Sequence, residues 1–167
     1  VILGGQGGDT INAGDGDNIV LGDNGYVDYT VADGEGSAID WIYSTDYGVG
    51  GADDITTEAG SDIVIGGAAG DTIKGGSGSN IVIGDSGQIT AATANSPRFA
   101  SLPLTIGLIE TVASNIGDTD TITTTGGADI ILGGQAGDMI NAGDGNNIVL
   151  GDDGIITYVS GTISDIL

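Results

Sequence analysis

Along most of the chain the apolar positions follow neither the 3.6-residue period of an amphipathic helix nor the sustained alternation of a long half-buried strand. They fall in short aliphatic stretches, each centred two places after an aspartate or asparagine that recurs every nine residues and each preceded by a glycine-rich turn. Ile55, Val64, Ile73 and Val82 follow Asp53, Asp62, Asp71 and Asn80 in this way. Ile122, Ile131, Ile140 and Val149 stand in the same relation to Asp120, Asp129, Asp138 and Asn147, as do Ile11 and Val20 to Asp9 and Asn18. A unit of six turn residues and a three-residue strand cannot bury its aliphatic centre alone, so it must stack on its neighbours. Two units make a coil of about 18 residues with two short parallel strands facing each other, and coils stack at roughly 4.8 Å. The predicted fold class is therefore all-β.

A longer period contains the short one. VILGGQGGDTINAGDGDNIVLGDNG from Val1 recurs as IVIGGAAGDTIKGGSGSNIVIGDSG from Ile63 and as IILGGQAGDMINAGDGNNIVLGDDG from Ile130, at spacings of 62 and 67 residues. These copies define repeat modules at 1–25 (truncated at its start), 48–87 and 118–154, separated by inserts at 26–47 and 88–117, with 155–167 opening a further insert. The first insert predicts a hairpin: YVDYTV alternates, ADGEGS is a turn, and AIDWIYSTD is a second strand carrying Trp41 and Tyr43. The second has Pro97 and Pro103 around a loop, then LTIGLIETVASNI from Leu104, where periodicity does not choose between strand and short helix. Both termini look like cuts through a longer repetitive protein.

The strand triplets alternate between two kinds, and that alternation separates two faces of the coil. Thr10-Ile11-Asn12, Thr72-Ile73-Lys74 and Met139-Ile140-Asn141 flank an aliphatic centre with mostly polar residues. On the other face the outward positions are aliphatic too: Ile19 and Leu21, Ile63 and Ile65, Ile81 and Ile83, Ile130 and Leu132, Ile148 and Leu150. Burying each is worth about 1.5–3 kcal/mol, and left bare they would form an aggregation-prone strip. The inserts are the expected cover, with Trp41, Tyr43 and Leu108 in the local core. Self-association of chains through the same strip is a second expectation.

Composition narrows the chemistry. The 167 residues include 34 glycines and 2 prolines, with hydrophobic residues at 39%, which speaks against both collagen and a disordered acidic tail. The absence of cysteine and histidine excludes Cys/His zinc sites, disulfides and any nucleophile that needs a histidine base. A net charge of −22, from 24 acidic side chains against 2 basic ones, opposes nucleic-acid binding. No run of about 18 apolar residues predicts a membrane span, and no positively charged leader is present. The carboxylates lie in repeated turns rather than converging on one cleft, so an enzyme is not expected.

Those turns pose an electrostatic problem. Coil stacking sets Asp53 beside Asp71, Asp62 beside Asn80, Asp120 beside Asp138 and Asp129 beside Asn147. Two carboxylates about 5 Å apart at an effective dielectric near 20 repel by about 3 kcal/mol, so a counter-cation is required. Carboxylates with turn carbonyls form a hard all-oxygen environment suited to Ca2+, whereas Mg2+ demands a tighter octahedron. The candidate ligands are Asp9, Asn18, Asp23, Asp53, Asp62, Asp71, Asn80, Asp85, Asp120, Asp129, Asp138, Asn147 and Asp152. Asparagine in the last nonapeptide of each module is expected to weaken or end a ladder. Asp23, Asp85 and Asp152, in the turns GDNG, GDSG and GDDG that follow, are expected to supply the missing charge.

Units such as GGAAGDTIK and GGSGSNIVI resemble the RTX (repeats-in-toxin) nonapeptide GGxGxDxUx, in register over about 100 of the 167 residues. The chain departs from that pattern in its asparagines, in turns lacking one glycine and in its short runs. The resemblance implies a parallel β-roll in short modules, with several Ca2+ ions bound between successive turns on each edge. It further implies type I secretion, an extracellular or bacterial cell-surface location, and folding on meeting external calcium. The physics agrees: without the ion the carboxylate ladders keep the chain extended, and ion binding supplies folding free energy directly. The expected function is a calcium-dependent structural region of a secreted protein, as adhesin stalk or extracellular filament subunit. The alternative is a secretion and folding appendage of an RTX enzyme or toxin whose catalytic domain lies elsewhere.

Overall fold

The computed structural model describes residues 1–29, 38–93 and 97–167. The first repeat segment forms β1 (Ile2–Leu3), β2 (Thr10–Gly14) and β3 (Ile19–Leu21), and the insert after it forms β4 (Gly25–Asp28) and β5 (Trp41–Ser44). The second segment forms β6 (Asp54–Thr57), β7 (Ile63–Ile65), β8 (Thr72–Ser77) and β9 (Ile81–Ile83), followed by β10 (Gly87–Ala91) and β11 (Ile106–Thr111). The third forms β12 (Thr121–Gly126), β13 (Ile130–Leu132), β14 (Met139–Asn141) and β15 (Ile148–Leu150), then β16 (Ile155–Val159) and β17 (Thr162–Ile166). No described residue is helical, and none belongs to a helix long and apolar enough to cross a membrane.

Three sheets result. The first runs β1-β3-β7-β9-β13-β15 and the second β2-β6-β8-β12-β14, both parallel throughout. Successive units alternate between them, so the pair of sheets is a parallel β-roll. Ile63 pairs with Ile81 and Ile130 with Ile148, the 18-residue step of one coil. The same register crosses the inserts: Ile19 pairs with Ile63, and Ile81 with Ile130. The repeat segments therefore stack into one continuous roll, and the inserts are lateral excursions from it.

Both complete inserts leave after a first-sheet strand and return before a second-sheet strand, at every second coil. They accordingly emerge from one edge of the roll, here called the insert edge. The turns that run from the second sheet to the first form the plain edge. The insert strands pair with one another as a third sheet, antiparallel, in the order β4-β5-β10-β11-β16-β17. The expected hairpin of the first insert is present as β4 and β5, with Val27 opposite Ile42, while its turn ADGEGS lies outside the described residues. In the second insert the segment from Leu104 is a strand, β11, and not a helix.

Two cores follow from this layering. Within the roll, Ile11, Ile55, Ile73 and Ile122 of the second sheet meet Val20, Val64, Val82 and Ile131 of the first. Outside it, the aliphatic strip of the first sheet packs under the third sheet: Ile19, Leu21, Ile63, Ile65, Ile81, Ile83 and Leu132 lie with Ile39, Ile42, Ile89, Leu104, Ile109 and Ile156. Ile130, Ile148 and Leu150 are partly buried against the same core. The expected cover of the strip by the inserts is present, and self-association through it is not shown. From β3 to β13 it is covered by the chain's own inserts.

A second difference concerns the aromatics. Ile42 and Ser44 point inward from β5, so the pleat turns Trp41 and Tyr43 to the outer face of the third sheet. There Trp41 stacks on Tyr43 with ring centroids 4.1 Å apart, Tyr43 meets Tyr26 at 5.7 Å, and the Trp41 indole N–H donates to Gln88 at 2.9 Å. Leu108, on the same face of β11, is only partly buried, whereas Ile109 is buried.

Ile83, fully buried between roll and cover, tests this arrangement. Ile83→Ala leaves a cavity in the outer core and is expected to lower unfolding free energy by about 2–5 kcal/mol in saturating calcium, measured by denaturant titration at fixed monomer concentration.

Candidate metal centre

Each nonapeptide places its sixth residue at the end of a turn, immediately before a strand, and stacking sets these residues in two rows. On the insert edge the backbone N–H of Asp9 donates to Asp53 Oδ1 at 2.7 Å, that of Asp53 to Asp71 Oδ1 at 2.8 Å, that of Asp71 to Asp120 Oδ1 at 2.7 Å, and that of Asp120 to Asp138 Oδ1 at 2.9 Å. On the plain edge Asn18 N–H donates to Asp62 Oδ1 at 2.8 Å, Asp62 to Asn80 at 2.9 Å, Asn80 to Asp129 at 2.8 Å, and Asp129 to Asn147 at 2.9 Å. The four neighbour pairs expected within modules are all brought together, and the rows continue across the inserts.

Every aspartate of the two rows except Asp9, which lies in the first coil, thus uses one carboxylate oxygen to tie the preceding coil. The other is stranded: Oδ2 of Asp9, Asp53, Asp62, Asp71, Asp120, Asp129 and Asp138 is buried without a hydrogen-bond partner. An ionised oxygen in that position costs several kcal/mol unless a cation or proton answers it. Burial pushes the Asp71 carboxyl up to about 9, with Asp120, Asp53 and Asp23 as like charges adding to the shift. The same desolvation lifts Asp120 to about 8, Asp85 to about 7 and Asp53 to about 6, each partly offset by backbone N–H donors.

On the insert edge the stranded oxygens face a built cradle. A Cβ placed on Gly22 would overlap Asp53 Oδ2 and the Gly66 carbonyl, one on Gly66 would overlap Asp71 Oδ2 and the Gly84 carbonyl, and one on Gly84 would overlap Asp120 Oδ2 and the Gly133 carbonyl. Gly4 and Gly133 repeat the arrangement with Asp9 and Gly22, and with Asp138 and Gly151. Only glycine leaves room there for a carboxylate oxygen and a carbonyl oxygen of the next coil to converge. Among the described residues no three acidic side chains gather into one ligand group, so carbonyls must complete any coordination sphere. An orphaned carboxylate oxygen beside a carbonyl is an oxygen-only donor set that fits Ca2+. Asp53, Asp71 and Asp120, with Gly66, Gly84 and Gly133 carbonyls, would hold it, and its charge would replace the missing partner.

Asp23 and Asp85 do not stand beside the asparagines whose charge they were expected to replace. They follow first-sheet strands and so lie on the insert edge. Asp23 accepts from Gly51 N–H at 3.1 Å and Ala68 N–H at 2.6 Å, and Asp85 accepts from Asp118 N–H at 3.2 Å and from Gln135 N–H. Each clasps the point where an insert returns to the turn of the next coil. Asp152, at the corresponding place in the third segment, is exposed. The turn carbonyls expected among the ligands are those of the first glycine of an insert-edge turn, Gly22, Gly66, Gly84, Gly133 and Gly151, which recurs in register.

A family model of the RTX calcium-binding nonapeptide repeat matches residues 1–26, 47–82 and 117–149 in four copies. More than half of the chain is covered, and the protein belongs to this family of calcium-binding repeats, which occur in secreted bacterial proteins. Comparisons with curated proteins and with solved structures find no match.

Metal-free protein should respond to pH in a defined direction. Asp71 and Asp120 hold protons in the fold, at about 9 and 8, that the unfolded chain releases near 3.8. Their contribution is intact below about pH 4 and is lost as pH rises toward 8–9, because the unfolded state then binds fewer protons. In chelator, β-type circular dichroism is expected to be strongest near pH 4 and to fade through neutrality, while added calcium restores it at pH 7.5.

Proposed function

We propose that this chain is a calcium-rigidified structural segment of a secreted or cell-surface protein, serving as an adhesin stalk or the body of an extracellular filament, without catalytic activity of its own. The observation that supports this reading is the register carried across the inserts, Ile19 to Ile63 and Ile81 to Ile130. Because tandem modules join end to end into a single roll, each added module lengthens the rod by two coils, about 10 Å at the strand spacing of a sheet. An extension device needs that property, and an isolated folding appendage does not. Calcium makes the rod conditional: the acidic rows disfavour folding where the ion is scarce and close where it is abundant. Extracellular calcium modules work at dissociation constants of about 10⁻⁴–10⁻³ M, which suits a chain that stays open until export.

Deleting residues 63–129 removes one period and joins Asp62 to Ile130 in register. The variant is expected to fold in millimolar calcium with a long dimension shorter by about 10 Å in solution scattering, and with an unchanged calcium midpoint. Failure to fold in calcium would show that the modules are not interchangeable lengths of rod.

A further inference from the structure

We propose that the two edges of the roll are held by different chemistry: calcium on the insert edge, and on the plain edge a zipper of side-chain amides and hydroxyls that stands in for the ion. This rests on the calcium reading above and confines it to one row of turns.

The rows differ first in charge. On the insert edge Asp9, Asp53, Asp71, Asp120 and Asp138 are consecutive rungs, so every rung faces a like charge. On the plain edge the rungs are Asn18, Asp62, Asn80, Asp129 and Asn147, and no carboxylate of the row is adjacent to another. Repulsion between successive rungs exists only on the first; on the plain edge the like charge acting on Asp62 is Asp17, outside the row. At the plain edge's first turn Asp15 and Asp17 carry extra charge, but each accepts a backbone N–H of the next coil, from Ala59 at 3.2 Å and Ser61 at 2.7 Å.

The asparagine amides also occupy the carbonyls that a cation would need. Asn18 Nδ2 donates to the Gly14 and Gly16 carbonyls at 3.2 and 2.7 Å and to Asp62 Oδ1 at 3.1 Å. Asn80 Nδ2 donates to the Gly78 carbonyl at 3.2 Å, and Asn147 Nδ2 to those of Ala142 and Gly143 at 2.8 and 3.4 Å. An NH2 group bonded this way places its partial positive charge on the turn carbonyls. A second neutral row reinforces it, with Ser61 Oγ accepting from Ser79 N–H and Ser79 Oγ from Ala128 N–H.

The two aspartates that remain on this edge have their own answer. Thr57 and Thr124 are buried five residues before Asp62 and Asp129, and the Thr57 hydroxyl is among the hydrogen-bonding groups that favour the charged form of the Asp62 carboxyl. The corresponding residue before Asn18, Asn80 and Asn147 is Ala13, Gly75 and Ala142. A hydroxyl is thus supplied where the rung is a carboxylate and omitted where it is an amide. The glycine surroundings agree. At the place that Gly4, Gly66 and Gly133 hold on the insert edge, five residues before the rung, the plain edge has a glycine only at Gly75, and a Cβ there would meet Thr124 Cγ2 and Asn80 Nδ2 with no carboxylate oxygen beside it.

The test is the number of calcium ions bound per chain, by equilibrium dialysis with metal analysis, for the parent and three variants. Asp62→Asn with Asp129→Asn, which makes the plain row entirely amide, is expected to keep the parent's count and a midpoint within about twofold. Asp71→Asn is expected to lose at least one ion. Asn80→Asp, which makes three consecutive carboxylates on the plain edge, is expected to gain at least one. Loss of ions in the double plain-edge variant would overturn the proposal, and that variant decides even if Asp71→Asn does not fold. A parent that binds no calcium would instead overturn the underlying reading.

Discussion

One half-satisfied carboxylate, repeated coil after coil, governs this structure. Asp53, Asp71, Asp120 and Asp138 each spend Oδ1 on the backbone N–H of the preceding coil and leave Oδ2 buried beside a glycine carbonyl. The first bond fixes the spacing between coils, and the second oxygen makes that spacing costly unless a cation or a proton answers it. The shape and the calcium requirement therefore have a common origin. Side chains larger than glycine would close the space, and a spacer longer than nine residues would lift the aspartate out of its row.

Hydrophobic burial works alongside this interaction and sets the width of the molecule. A roll of two three-residue strands per coil offers one inward aliphatic per strand, a core only one residue deep. The first sheet adds a second layer by making its outward positions aliphatic and covering them with the insert strands. Since every insert leaves from the same edge, the cover grows in step with the roll. Ser101, from the second insert, reaches back to Asp17 at the far edge with both its N–H and its hydroxyl, and lashes the cover across the sheet. That contact holds Asp17 below the usual carboxylate range.

The nine-residue register exposed the strands, the coil, the turn aspartates and the need for a cover, because each follows from local period and side-chain alternation. Continuity of the roll was less visible: an interval of some thirty residues between Leu21 and Asp54 does not tell how far apart the two repeat segments lie. Alternation in AIDWIYSTD defined two faces but not which met the roll, and the compact, β-branched Ile42 fills the core while Trp41 and Tyr43 stack outside. Asp23 and Asp85 were assigned by charge to the nearest asparagine, though their place directly after first-sheet strands put them on the opposite edge. Glycine carbonyls and the Thr57 hydroxyl act through backbone position and burial, which composition does not display.

The central claim is that a cation answers the stranded oxygens of the insert edge. Anomalous diffraction from crystals grown in millimolar calcium tests it most directly. The account predicts calcium peaks beside Oδ2 of Asp53, Asp71 and Asp120, each also contacted by the glycine carbonyl of the next coil. An ordered roll with no peak at any of these oxygens would contradict it.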